Sequence, residues 1–267
     1  MTTSTALNRR SGSRDSIPHL IRKSCGIVGR LALAALAVAV PAWPLQAATV
    51  DVPNASFESP TTNYADPAIG SWQKTAQPGW FDPTAMGFSW DQLSGVFANT
   101  AIGQPDHIDN VTGSQAAFLF AVPQAGLTQD LIVPFEVGKS FNLTVGLIGG
   151  GGGMAVGSIF EIGFYYRDAG NNIVTVATND ISFDGTLFPN TTHLMDFTVN
   201  LPTVQAGDAW AGKTIGVELT SVYATGGGYW DMDNVRLTSV PEPSSWGLAA
   251  SALGTMFLMR RRFVRRA

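Results

Sequence analysis

Cysteine is almost absent from this sequence of 267 residues, and its one copy, Cys25, precedes the first apolar run. No disulfide can therefore hold the fold together. Cys25 also does not follow an apolar run, which is where a lipoprotein cysteine lies. The length of residues 48–240 is sufficient to bury a stable core without a disulfide. The absence excludes a small disulfide-bonded scaffold and favours a domain with a full hydrophobic core.

Basic residues are scarce between the two ends of the chain. Only five of the sixteen Lys and Arg residues lie in residues 48–240, whereas eighteen of the twenty Asp and Glu residues do. The net charge of that segment is therefore about −13. Such a charge repels polyanions, which excludes nucleic acid as a partner. The excess carboxylates can instead hold a hard cation such as calcium.

Recognisable catalytic motifs are also missing. The sequence has no G-x-S-x-G nucleophile elbow, and neither His107 nor His193 has a Cys or a second His at metal-ligand spacing. Gly138-Lys139-Ser140 lacks the earlier glycine of a phosphate-binding loop. A glycosidase needs two carboxylates at a set separation, and the sequence neither selects nor excludes a pair. We therefore expect a non-catalytic protein, with a carbohydrate-active enzyme as the less favoured alternative.

Long apolar runs are lacking, but a short one lies near each end. Leu31–Val40 follows a basic segment and precedes the small residues Ala47 and Ala48. This combination predicts a secretory signal peptide over residues 1–48, with an N-terminal signal helix. A helix that spans a bilayer needs about 20 apolar residues, so this run is too short for a permanent anchor.

The second short run belongs to the C-terminal tail, residues 240–267. Pro241-Glu242-Pro243 predicts an extended, accessible spacer, because proline fits neither a helix interior nor a central strand. The apolar stretch Trp246–Met259 reaches only about 21 Å as a helix, against a hydrocarbon core of about 30 Å. Arg260-Arg261-Arg262 follows and is expected to stop transfer on the cytoplasmic side. The tail therefore predicts a short apolar helix and a transient hold in the inner membrane.

This three-part tail resembles the PEP-CTERM sorting signal of Gram-negative bacteria, and the resemblance covers about residues 240–266. In that family an exosortase, a membrane-embedded transpeptidase, is thought to process the tail. The resemblance implies an exported protein that is held briefly in the inner membrane and then reaches the cell surface or the outside. It makes an exosortase-type transpeptidase the expected partner. Because such proteins often accompany exopolysaccharide and biofilm genes, exopolysaccharide is the second.

Residues 49–239 alternate apolar and polar positions with the period of β-strands. The predicted strands are Ala116–Val122, Leu127–Val133, Phe141–Leu147, Ser158–Arg167, Ile173–Thr178, Met195–Leu201, Ile215–Leu219 and Trp230–Thr238. Asp168–Asn172 predicts a hairpin turn. No stretch has the helical period of 3.6, so we expect one all-β domain, an antiparallel β-sandwich of the jelly-roll type.

Two motifs at the ends of this domain are similar to those of galactose-binding-like jelly rolls, a group with many carbohydrate-binding modules. They are Asn54-Ala55-Ser56-Phe57-Glu58 and Asp233-Asn234-Val235-Arg236-Leu237. The resemblance implies one structural calcium ion shared by Glu58 and Asp233. Asp233 has the strand parity of Val235 and Leu237, so its carboxylate is expected to point inwards and to need a partner. Alternatively, both residues cap turns through backbone hydrogen bonds.

A polysaccharide ligand needs exposed aromatic faces beside polar groups. Trp72, Trp80, Trp90 and Tyr223 lie in loop-like regions and are the candidate ligand-binding residues, unless they fill the core or plug loops. The sequence thus predicts an exported, non-catalytic cell-surface or extracellular-matrix protein that binds polysaccharide. A purely structural or adhesive surface protein without a small ligand is the alternative.

Overall fold

A computed structural model describes residues 46–224 and 227–242. The predicted signal helix, the apolar tail helix, Pro243 and Arg260-Arg261-Arg262 lie outside the described residues and stay predictions. No helix in the described part is long and apolar enough to cross a membrane.

Across residues 46–224 and 227–242 the chain forms twelve β-strands and two short 3-10 helices. The strands are β1 (Ala48–Val50), β2 (Ala65–Asp66), β3 (Gln73–Lys74), β4 (Ser94–Ala98), β5 (Gln115–Phe120), β6 (Gly126–Pro134), β7 (Lys139–Gly151), β8 (Ile159–Arg167), β9 (Ile173–Ser182), β10 (Met195–Leu201), β11 (Thr214–Tyr223) and β12 (Tyr229–Pro241). The 3-10 helices, Pro83–Met86 and Trp90–Leu93, lie in the irregular segment between β3 and β4.

The strands form two antiparallel sheets around one core. Sheet A has the order β10-β7-β12-β5-β4-β2, and β1 pairs with β12. Sheet B has the order β3-β6-β11-β8-β9. Leu119 and Leu143 of sheet A and Ile162 and Leu219 of sheet B are buried in the same apolar cluster. The predicted antiparallel β-sandwich is therefore confirmed, and strand alternation builds it because each long strand turns one face to the core.

Turns and strand ends follow the sequence pattern closely. In the hairpin at Asp168–Asn172, the Asp168 carboxylate accepts hydrogen bonds from the backbone N–H groups of Gly170 and Asn172 at 2.8 and 2.9 Å. β12 extends beyond its predicted end to Pro241, which pairs with Lys139. Pro241 fits here because a strand end tolerates a residue without an N–H group.

β12 lies in the centre of sheet A, between β7 and β5. Trp230 and Met232 belong to the core between the sheets. Because side chains alternate along a strand, Tyr229 and Asp231 lie on the outer face of sheet A, which is the face turned away from sheet B.

A β-bulge follows in the same strand. The register between β12 and β7 shifts after Asp233, where Asn234 has a positive φ of 57°. The extra residue returns Val235 and Leu237 to the core, whereas Asp233 stays on the outer face with Asp231. The predicted shared parity of Asp233 and Val235 is therefore wrong, although the Asp233 side chain is fully buried.

Candidate active site

Asp231 lies in a row of residues that crosses the outer face of sheet A. The strand register places Gly95 of β4 opposite Phe118 of β5, Phe118 opposite Asp231, and Asp231 opposite Ile148 of β7. The neighbouring row contains Phe120, Tyr229 and Gly151. An acid in the middle of a central strand thus has aromatic neighbours in its own row and in the next.

The aromatic side chains of these rows contact one another. The Phe120 ring centroid lies 6.1 Å from that of Phe118, 6.2 Å from that of Tyr229 and 5.6 Å from that of Phe88. Phe88 comes from the loop between the two 3-10 helices, so this loop forms one wall beside the sheet. We refer to Phe88, Phe118, Phe120, Tyr229 and Asp231 as the Asp231 site.

Two glycines create room for these rings. A Cβ on Gly95 comes closer than 3.0 Å to ring atoms of Phe118, and a Cβ on Gly151 comes closer than 3.0 Å to three ring atoms of Tyr229. Each ring therefore lies over the strand next to its own. Phe118 of β5 lies over β4, and Tyr229 of β12 lies over β7.

Asp231 is half-buried, as are Phe118, Phe120 and Tyr229. Within the described residues it makes no side-chain hydrogen bond or ion pair. Burial by the surrounding protein atoms raises the pKa of Asp231 to about 8. At neutral pH the Asp231 carboxyl is predominantly protonated and can donate a proton.

A small apolar cluster lies beside Asp231 on the outer face of sheet A. Ile108, Ile148 and Leu194 form a small buried cluster, with Phe97 and Val111 packed against it. The Asn110 side chain ties this region together, because it bonds the backbone N–H and C=O of Leu194. The loop after β4 therefore packs over the outer face of sheet A beside Asp231, at the Ile148 end of its row.

The predicted calcium ligands Glu58 and Asp233 converge on the segment from Thr112 to Gln115. The Glu58 carboxylate accepts hydrogen bonds from the backbone N–H groups of Ser114 and Gln115 at 2.9 and 2.8 Å. Asp233 Oδ2 accepts one from the Thr112 N–H at 2.6 Å, whereas its buried Oδ1 has no partner among the described residues. Burial raises the pKa of Asp233 to about 7, and Glu58 adds to the rise.

This geometry includes the alternative that was left open, since Glu58 does cap backbone N–H groups of a turn. No group of three or more His, Cys, Asp or Glu side chains that could hold a metal occurs in the described part of the chain. A cation held here by Glu58 and Asp233 therefore needs further ligands from elsewhere, such as backbone carbonyls or water.

The four predicted ligand-binding aromatics do not form a platform together. Trp72 is in the core, where its ring centroid lies 5.5 Å from that of Phe57 and its Nε1–H donates to Asn54. Trp90 is half-buried and donates to Thr75. Trp80 and Tyr223 are exposed by 59% and 51%. Trp72 therefore fills the core, as the alternative to ligand binding predicted.

Sequence reasoning missed Asp231 as a functional candidate. The available signal was an acid between Trp230 and Met232, two residues that read as core, because Asp is depleted in strand interiors. The aromatic neighbours come from other strands, so their convergence on Asp231 has no local signature.

The fold and this site define a β-sandwich protein with an acid of raised pKa among aromatic side chains. Comparisons with known proteins identify its family. The chain belongs to the HpiC1-like cyclase family, whose model, described as HpiC1 cyclase, matches residues 48–238. No curated protein matches the chain.

Solved structures of cyclases from Fischerella share the fold. One is a Stig cyclase, Fisc from Fischerella sp. TAU, in complex with (3Z)-3-(1-methyl-2-pyrrolidinylidene)-3H-indole. It has a TM-score of 0.55 and 18% identity, over 73% of this chain and 99% of that one. Another is a cyclase from Fischerella sp. TAU in complex with 4-(1H-indol-3-yl)butan-2-one. It has a TM-score of 0.53 and 20% identity, over 74% of this chain and 100% of that one.

Family membership corrects the functional expectation. The prediction of a non-catalytic surface protein that binds polysaccharide is wrong, because the family is one of cyclases. The prediction rested on the absence of hydrolase and metal-enzyme motifs, and a catalytic site need not have a motif of fixed spacing in the sequence.

Proposed function

We propose that this protein is a cyclase that closes a ring in an apolar, unsaturated small molecule by donating a proton from Asp231. The observation that carries the proposal is Asp231, which is half-buried, is free of side-chain hydrogen bonds among the described residues and has aromatic neighbours in its own row and in the next. Membership in the HpiC1-like cyclase family supports it.

The reaction is an isomerisation. Asp231 protonates one carbon of a substrate π-bond, and the resulting carbocation is attacked by a second π-bond of the same molecule, which forms the new ring bond. Loss of a proton from the cyclised cation, back to the carboxylate or to water, restores neutrality, so no oxidant or reductant is needed. The faces of Phe118, Phe120 and Tyr229 stabilise the cation, since aromatic quadrupoles attract positive charge.

The substrate class that we propose is the 3-substituted indoles. Both molecules in the Fischerella cyclase complexes are 3-substituted indoles. A flat aromatic bicycle can pack against Phe88, Phe118 and Phe120, where ring packing contributes beyond area burial.

The test combines binding with turnover. Calorimetry with 4-(1H-indol-3-yl)butan-2-one is expected to show binding to the wild type and to Asp231→Asn alike. With a 3-alkenylindole, the wild type is expected to give a product of unchanged mass that has lost an alkene signal by NMR. Asp231→Asn should lower that turnover by about 100-fold or more, as removal of a general acid does.

Asp51→Asn is the matched control, because Asp51 is exposed and lies outside the Asp231 site. It should leave turnover unchanged. Full turnover by Asp231→Asn, or no binding of any 3-substituted indole to the wild type, would overturn the proposal.

We further propose that one calcium ion is shared by Glu58 and Asp233. The buried Oδ1 of Asp233, unpartnered among the described residues and beside a second carboxylate, supports it. At a calcium concentration about 100 times Kd, the ion stabilises the fold by about 2.7 kcal/mol, a rise in Tm of about 5–10 °C. A Tm that chelator does not change, or that Asp233→Asn leaves equally sensitive to calcium, would exclude the site.

A further inference from the structure

The Tyr229 ring has a well-defined position on the outer face of sheet A. It is the first residue of β12 and pairs with Phe120 on one side and Gly151 on the other. A Cβ on Gly151 comes closer than 3.0 Å to three atoms of the Tyr229 ring, and a Cβ on Gly152 comes within 3.1 Å of two more. The ring therefore lies in the space left by the missing side chains of two glycines, one at the end of β7 and one in the turn that follows.

The direction of this ring decides how much room lies beside Asp231. Tyr229 and Asp231 are two positions apart on the same face of β12, so their side chains are neighbours. The Phe120 ring stands on the other side of Tyr229, with the ring centroids 6.2 Å apart. A Tyr229 ring that is displaced from β7 can therefore enter the space beside Asp231.

The backbone at Gly151 does not itself require a glycine. Gly151 has an ordinary φ, so its lack of a side chain serves the ring and not the backbone conformation. Gly207 offers a contrast, because its backbone is also outside the positive-φ region and a Cβ there meets nothing within 4 Å.

We infer that Gly151 is a positioning residue. Because it has no side chain, the Tyr229 ring can lie over β7, and this position of the ring sets the size of the substrate space above Asp231. The inference rests on the proposed function for its meaning in catalysis, because it assumes that substrate approaches Asp231 in this space. The physical claim about room above position 231 is independent of any reaction.

The test measures that room directly with a thiol. In the full chain carrying Cys25→Ser, the Asp231→Cys variant has a single thiol, because Cys25 is the only cysteine in the sequence. The probes are methyl methanethiosulfonate, which is small, and benzyl methanethiosulfonate, which carries an aromatic ring. Their two labelling rates are compared by mass spectrometry.

Adding Gly151→Ala is expected to slow labelling by the benzyl reagent by about tenfold and to leave the methyl rate unchanged, because the displaced ring overpacks the space. Adding Tyr229→Val as well should restore the benzyl rate, since the ring that the added methyl group displaced is then gone. Gly207→Ala is the matched control and should change neither rate.

Two outcomes overturn the inference. The first is a benzyl rate that Gly151→Ala leaves unchanged. The second is an equal loss of both rates that Tyr229→Val does not restore, which indicates general distortion of the sheet. Failure of the proposed function is a separate result, because it is read from turnover by Asp231→Asn and leaves the labelling ratio interpretable.

Discussion

A single aspartate has acquired acid character from its surroundings. Asp231 has no cation and no hydrogen-bond donor to favour its charged form among the described residues, and burial raises its pKa to about 8. An ordinary Asp is ionised at neutral pH and cannot donate a proton efficiently. The aromatic neighbours of Asp231 on sheet A thus favour the protonated carboxyl, because they exclude solvent and offer no polar partners.

This environment predicts the pH dependence of turnover. Because only the protonated carboxyl donates, kcat should be constant below about pH 7 and fall about tenfold per unit above pH 8. Stopped assays between about pH 6 and 10 with a 3-alkenylindole measure the profile. Binding of 4-(1H-indol-3-yl)butan-2-one serves as the control and should be flat. A rate that rises with pH would show that the carboxylate acts as a base.

The sequence was sufficient to predict the eight long strands, β5 to β12, but neither the short strands β1 to β4 nor the site. Strand alternation in segments such as Phe141–Leu147 is local, so the β-sandwich followed from it. The parity of Asp233 failed because one extra residue at Asn234 reverses every side chain after it. The convergence of Glu58 and Asp233 on one turn was implied by family resemblance, and their local sequences carry no information about that distance. The neighbours of Asp231 depend on cross-strand register, which is a property of the folded sheet.

At the scale of elements, sheet B carries an unusual cross-strand group of acids. Glu161 of β8 lies opposite Asp180 of β9, and Glu218 of β11 is a near neighbour that is almost fully buried. Burial and then the charges of Glu218 and Asp180 raise the pKa of Glu161 to about 7. The strand register brings these carboxyls together, so their mutual repulsion destabilises the fold when all of them are ionised.

The Glu161→Gln variant should reveal this cost. The pKa of Glu161 is higher in the folded chain than its ordinary 4.5, so its contribution to stability is complete below pH 4.5 and is lost as pH rises through 7. We therefore expect Glu161→Gln to raise the free energy of unfolding at about pH 8 by about 1 kcal/mol after solvent screening, or 2–4 °C in Tm. Near pH 4 the variant should match the wild type.

Thermal unfolding at the two pH values makes the measurement, with Asp51→Asn as the control because Asp51 is exposed. An equal gain at both pH values would assign the effect to packing, and a loss near pH 8 would contradict the repulsion.

At the scale of the molecule, negative charge is poorly balanced. Within the part of the chain that the structure describes, four ion pairs join Lys74 to Asp91, Lys139 to Glu136, Arg167 to Asp130 and Arg236 to Asp196. Lys213 makes no ion pair within the described residues, and residues 48–240 contain eighteen acids for five bases. Surface ion pairs contribute little, about 0–1 kcal/mol each, so repulsion among the remaining carboxylates outweighs them.

Salt should therefore stabilise this protein. Raising NaCl from about 10 mM to about 0.5 M shortens the Debye length from about 30 Å to under 5 Å and screens the net repulsion. We expect Tm to rise by on the order of 2–4 °C. Chelator is present throughout, so that calcium contamination does not contribute. A Tm that falls with salt would mean that the four ion pairs dominate.

β12 joins the two halves of sheet A, and it is also the last strand of the described domain. β5 and β7 both pair with β12, and β1, the first strand, pairs with it as well. During synthesis, strands β1 to β11 emerge before the strand that connects them. A nascent chain that stops before Tyr229 lacks the proposed proton donor and leaves β5 and β7 without their shared neighbour. Sheet A therefore cannot be completed before β12 has emerged, and we expect a chain that lacks β12 to be inactive.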